Sequence, residues 1–288
     1  FFFKQKTAYE IYQCDWSSDV CSSDLLPTPA TSESTVTDKV VLDVKDLTVT
    51  APGGKEIVNH VDFKIHAGEI LGIAGVEGNG QAELLDALLG IEKSSGKVTF
   101  LEEDISNWST RKRRESGIAY IPEDRTRQAL LLDAPLWENR MLGHQTLPPN
   151  SKGFWLTPRA AKADTARIIS EYDVRTPSID VYASALSGGN QQKLIVGREM
   201  SGEPKLLIAA HPTRGVDVGA QSAIWDHLRA ARAAGLAVLL ISADLDELIG
   251  LSDSLKVILR GKFVADADPA TVTPQQLGNA MTGAGAAA

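Results

Sequence analysis
The stretch Gly75-Val76-Glu77-Gly78-Asn79-Gly80-Gln81-Ala82 constrains the fold more than any other part of the chain. A short apolar run, 70–73, precedes it. After it, Leu84, Leu85 and Leu88 fall on one face of a helix running from about Gln81 to Leu89. A buried strand, a glycine-rich loop and a helix in that order can cradle phosphate. Glycines let backbone N–H groups converge on oxygens, and the helix N-terminus adds a favourable dipole. Gly75 and Gly80 fit the spacing G-x-x-x-x-G-K-[ST]. The next two residues do not. Gln81 stands where a lysine would meet the β- and γ-phosphates, and Ala82 where a hydroxyl would hold Mg²⁺. Alone the loop is a weak signal, because a glycine-rich strand–helix turn often serves only tight packing.

The surrounding sequence gives the loop a context. Residues 40–49 alternate apolar and polar, Ala51-Pro52-Gly53-Gly54 reads as a turn, and 57–65 as a second strand. A further strand is expected at 98–101, and 133–201 reads as mostly helical. Then come a strand (205–209), a helix (220–234), a buried strand (237–242), a short helix (244–251) and a hairpin-like end (254–264). Strand–helix alternation at both ends with a helical insert predicts an α/β core carrying an α-helical subdomain. At 43% hydrophobic the chain can build a packed core, which excludes a disordered tail. A net charge of −8 argues against a general nucleic-acid binder. Apolar runs such as 236–241 are too short to cross a bilayer, and the expectation is a soluble intracellular protein. Arg111-Lys112-Arg113-Arg114 reads as a solvated helix face rather than a nucleic-acid patch.

A second motif decides the family. Leu186-Ser187-Gly188-Gly189-Asn190-Gln191-Gln192-Lys193 resembles the signature sequence of ATP-binding-cassette (ABC) ATPases. Lys205–Asp217, KLLIAAHPTRGVD, resembles a Walker B strand and D-loop, with Asp217 as the D-loop aspartate. Leu239-Leu240-Ile241-Ser242-Ala243-Asp244 resembles the switch region, and Ile121-Pro122-Glu123-Asp124-Arg125 occupies the Q-loop position. The resemblance spans 40–261. It implies an ABC-ATPase nucleotide-binding domain: a P-loop core with an antiparallel β-subdomain and an α-helical subdomain. On that reading 26–39 is a linker, 40–265 the cassette with its helical subdomain at about 133–201, and 266–288 a C-terminal tail. More narrowly, GVEGNGQAEL, AYIPEDR, LSGGNQQK and HPTRGVDVGA resemble the C-terminal cassette of bacterial importers for nucleosides and simple sugars. The nucleoside branch looks nearest, and the ribose and galactose branch is the alternative.

Several positions depart from the family pattern. Besides Gln81 and Ala82, Ala210 stands where the Mg²⁺-linked aspartate belongs and His211 where the catalytic glutamate belongs. Ala243 replaces the switch histidine, and Glu123 the Q-loop glutamine. No aromatic residue lies between Val41 and Val58 to stack on adenine. Each loss removes positioning or charge stabilisation on which phosphoryl transfer depends. The nucleotide-binding candidates are therefore Gly75, Gly78, Asn79, Gly80, Gln81 and Ala82, without a metal site. The signature Leu186–Gln191 is intact and is expected to serve ATP held, with Mg²⁺, by a second cassette. The resemblance implies further partners: membrane permease subunits, indirectly an extracellular substrate-binding protein, and a place on the cytoplasmic face of the bacterial membrane. Two alternatives stand beside this: an active homodimeric ATPase in which Glu123 or His211 substitutes for the missing groups, and a non-transport ABC protein. For His211 a tolerated substitution outweighs a base or metal ligand.

Residues 1–25 do not fit the rest. They have no sustained helix or strand period and no signal-peptide pattern. Lys4-Gln5-Lys6-Thr7-Ala8-Tyr9-Glu10-Ile11 resembles a translated sequencing adapter, so 1–25 is expected to be a foreign leader; a genuine extension is the alternative. Both cysteines, Cys14 and Cys21, lie there, which leaves the remainder with none.

Overall fold
The computed structural model describes residues 34–153 and 155–284. The 1–25 leader and most of the linker lie outside them. In chain order come β1 (Val40–Thr50), β2 (Glu56–His66), β3 (Ile70–Ala74), α1 (Gln81–Leu89), β4 (Ser95–Phe100), β5 (Glu103–Asp104), α2 (Thr110–Glu115) and β6 (Ile118–Ile121). A π-helical turn, Arg125–Ala129, leads to α3 (Leu136–Met141), β7 (Ser151–Lys152), β8 (Trp155–Leu156), α4 (Pro158–Glu171) and α5 (Gly188–Met200). The chain closes with β9 (Leu206–Ala210), α6 (Val218–Ala233), β10 (Ala237–Ser242), α7 (Leu245–Leu251), β11 (Ser254–Leu259), β12 (Lys262–Ala267) and α8 (Pro274–Thr282).

The central sheet has the order β12-β11-β3-β10-β9-β6, parallel except for β12. Strands β3, β9 and β10 are buried along their whole length, which is why they read as continuous apolar runs. Alternate side chains feed two cores. Leu207, Ala209, Val238 and Leu240 face the side that carries α5 and α6. Leu206, Ile208, Leu239 and Ile241 face α1 and the antiparallel sheet β2-β1-β4-β5. Helices α3, α4 and α5 sit between β6 and β9 in sequence and form the expected helical subdomain, interrupted by the small β7–β8 hairpin. Among the described residues no helix is long and apolar enough to cross a membrane.

Two expectations need correcting. The basic run is not a uniform solvated face, because Arg113 is only 2% exposed. Its guanidinium donates to the carbonyls of Ala87 (2.8 Å) and Leu88 (2.6 Å) at the end of α1, and to Ile105 and Ser106 beyond β5. It thus supplies the Leu88 carbonyl, which has no other donor among the described residues, and adds a second donor to Ala87 O, which already accepts the Gly90 N–H. Nor do the described residues of the expected tail, 266–284, form a plain tail. Thr273 and Gln276 form a reciprocal capping box that starts α8, whose Leu277 and Met281 enter the core.

Candidate functional site
Strands β3, β10, β9 and β6 lie side by side and end nearly level: Ala74 pairs with Ser242, Ile241 with Ala210, and Ile121 with Ala209. Their following loops therefore emerge at one edge, the carboxyl end of a parallel sheet, where such folds form their crevice. A cavity of about 420 Å³ opens there. Its lining includes Gly75, Gly78, Gln81 and Ala82 after β3, Glu123 after β6, His211 and Arg214 after β9, and Ala243 after β10. Ala210 does not join them. It ends β9, only 2% exposed, with its methyl in the core.

Gln81 is folded back onto its own loop. Its Oε1 accepts the Asn79 N–H at 3.0 Å and its Nε2 donates to the Val76 carbonyl at 3.0 Å. The side chain fits because Gly75 has no Cβ, which would lie 2.5 Å from Nε2. Asn79 shapes the loop too: its Nδ2 donates to Val76 O at 2.8 Å and its Oδ1 accepts the Arg260 N–H at 2.8 Å, tying the loop to the β11–β12 turn.

The cavity carries little positive charge. No lysine lines it; its cation is Arg214, which is paired with Glu123. The carboxylates of Glu77 and Asp244 remain. Like charge in a partly enclosed crevice repels a polyanion. Methyl groups, those of Ala82 and Ala210, stand at the two positions where the family resemblance places Mg²⁺-linked oxygens. Among the described residues no His, Cys, Asp and Glu cluster could hold a metal. Burial pushes the His211 imidazole below its ordinary pKa, with the Glu123 carboxylate opposing. Its Nδ1 accepts the Ala243 N–H at 3.2 Å.

A second cavity, about 320 Å³, lies across the first turn of α6. Ser187, Gly189 and Asn190 line it together with Arg175 and Asp217. Ser187 caps α5 and accepts Asn190 Nδ2 at 2.9 Å, while Asn190 Oδ1 accepts the Arg175 N–H at 2.8 Å. Among the described residues the N–H groups of Gly188 and Gly189 have no acceptor. The helix start thus presents free donors, the arrangement that receives phosphate oxygens. Leu186 and Gln191 turn inward instead and are buried. The structure gathers Gly75, Gly78, Gln81 and Ala82 in one cavity and Ser187, Gly189 and Asn190 with Asp217 at another, while Asn79, Gly80 and Gly188 line neither.

The family profile described as ABC transporter matches residues 58–214. The chain belongs to the ABC transporter family. It is 46% identical over 244 residues to the guanosine import ATP-binding protein NupO of Bacillus subtilis (strain 168), covering 84% of this chain and 48% of that protein. It is 42% identical over 245 residues to the nucleoside import ATP-binding protein NupA of Lactococcus lactis subsp. cremoris (strain MG1363), covering 85% and 48%. The chain thus spans about half the length of these curated relatives. The crystal structure of a nucleotide-free ATP-binding cassette from an ABC transporter superposes with a TM-score of 0.68 at 21% identity, covering 84% of this chain and 95% of that one. That likeness supports the ABC fold.

Reading the sequence did not single out Arg125, Arg214 or Glu247, although all three bond around these cavities. Arg125 and Arg214 stand inside the quoted motifs, and the available signal was a positive charge within each.

Proposed function
We propose that this ABC cassette serves a nucleoside or simple-sugar importer by lending its signature helix to ATP held by a second cassette, while its own phosphate loop is catalytically silent. One observation carries the reading: the two glycine-rich loops differ in side chains and charge, although the first turn of α1, like that of α5, has N–H groups without an acceptor among the described residues. At the first, Gln81 takes up a loop N–H and the cavity is acidic. At the second, Ser187 and Gly189 line a cavity and the Gly189 N–H has no acceptor among the described residues.

The partners follow from the family: a second cassette with an intact G-x-x-x-x-G-K-[ST] loop, membrane permease subunits, and an external substrate-binding protein reached through the permease. The reading puts the chain at the cytoplasmic face of the membrane. Names of relatives such as NupO and NupA favour nucleosides as cargo.

The active-homodimer alternative loses support because its replacement groups are engaged. Glu123 is paired with Arg214, and His211 Nδ1 holds the Ala243 N–H. The test is Mg²⁺-dependent ATP turnover of the purified chain, alone and mixed with its partner cassette. Turnover only in the mixture supports the reading; turnover by the chain alone overturns it in favour of the homodimer. Co-purification with a permease separates an importer subunit from a non-transport ABC protein.

A further inference from the structure
Three of the residues that replace catalytic groups around the first cavity, Glu123, His211 and Ala243, fasten one turn, residues 211–215, between β9 and α6. The His211 N–H donates to Ile241 O at 2.7 Å, and its Nδ1 accepts the Ala243 N–H. Thr213 Oγ1 donates to Glu247 Oε1 at 2.7 Å. The Arg214 guanidinium pairs with Glu123. From the π-helical turn, Arg125 Nη1 donates to Arg214 O at 2.8 Å and Nη2 to Gly215 O at 3.3 Å. Glu123 and Arg125 thus grip the same turn, one by its side chain and one by its backbone.

The grip extends to the second cavity. Arg125 Nε reaches Gln191 Oε1 at 3.4 Å, and a Cβ on Gly188 would lie 2.7 Å from Arg125 Nη2. The turn itself runs on to Asp217, which caps α6 by accepting the Ala220 N–H at 2.9 Å. A Cβ on Gly189 would lie 2.8 Å from Asp217 Oδ2. One guanidinium, a planar fork with several donors, spans both elements that face the second cavity.

We propose that Glu123, Arg125 and Arg214 form a positioning brace that holds the D-loop turn and the signature helix in one fixed relation whether or not the first cavity is filled. This rests on the reading that the signature serves a partner's ATP. It assigns the glutamate at the Q-loop position a job: it holds Arg214 rather than touching a nucleotide. The brace does little for global stability, because the Glu123 and Arg214 side chains are 33% and 58% exposed and such pairs are weak. Its effect is on register.

The test is hydrogen exchange on the purified chain carrying Arg125→Ala, Arg125→Lys or Glu123→Gln, beside ATP turnover of each variant assembled with its partner cassette. Arg125→Ala is expected to speed exchange in 187–192 and 213–219 about tenfold while the melting temperature moves by no more than about 2 °C. Lysine, with one donor centre instead of a fork, is expected to restore part of the protection. In the assembly, kcat falls about tenfold and the KM for ATP stays within about twofold. Unchanged exchange in both stretches overturns the brace, as does faster exchange with unchanged kcat while Ser187→Asp abolishes turnover. If Ser187→Asp leaves turnover intact, the parent reading fails, and the exchange data still decide the brace.

Discussion
Gln81 Oε1 accepts the backbone N–H of Asn79 at 3.0 Å, so the residue that replaces the phosphate-binding lysine closes on its own loop. The same amide donates to Val76 O, which holds it there without any ligand. A lysine at this position would free the Asn79 N–H and supply the missing cation.

We therefore expect Gln81→Lys to tighten ATP binding by the purified chain by about 10- to 100-fold, the range for one charge-assisted contact. A fluorescence titration with a labelled ATP analogue measures it. Equal affinity in wild type and variant would mean that this loop does not limit binding.

Arg113 joins the end of α1 to the segment after β5 through buried carbonyl contacts. Replacing it with leucine leaves the Leu88 and Ser106 carbonyls without a donor, while Ala87 O keeps the Gly90 N–H and Ile105 O the Trp108 N–H. The expected loss is about 3 kcal/mol of stability, read from urea unfolding. Arg111→Leu, on the exposed side of the same helix, should stay within about 0.5 kcal/mol.

Burial pushes the His144 imidazole down to about 4, with Arg140, Arg114 and Arg198 pushing the same way and Glu199 opposing. Its ordinary value is 6.5. Below that pH the unfolded chain takes up a proton that the folded chain refuses. The stabilisation is thus complete above pH 6.5 and declines as pH falls toward about 4. His144→Gln should flatten the stability curve over that window by up to about 3 kcal/mol, measured by urea unfolding at stepped pH.

Much of this arrangement is legible in the sequence, and the remainder fails for identifiable reasons. Strands β3, β9 and β10 announce themselves because both their faces are buried, leaving unbroken apolar runs. The two glycine loops are legible because their spacing is set by phosphate geometry. Glu123 and Arg214 are individually visible, but 91 residues separate them, and only the level ends of β6 and β9 bring them together. Arg113 is hidden among three other basic residues, and nothing local distinguishes the one that turns inward. Helix α8 carries a readable capping box, yet its short apolar stripe is easily taken for a tail.

The central claim is that Ser187 works on a nucleotide held by another cassette. Ser187→Asp tests it most directly, since aspartate is as good a helix cap and keeps α5 intact while setting a negative charge against the incoming phosphates. The measurement is steady-state ATP turnover by the chain assembled with its partner cassette, with the melting temperature as a folding control. We predict turnover at least about 100-fold lower at an unchanged melting temperature. Turnover equal to wild type in the folded variant would contradict the account.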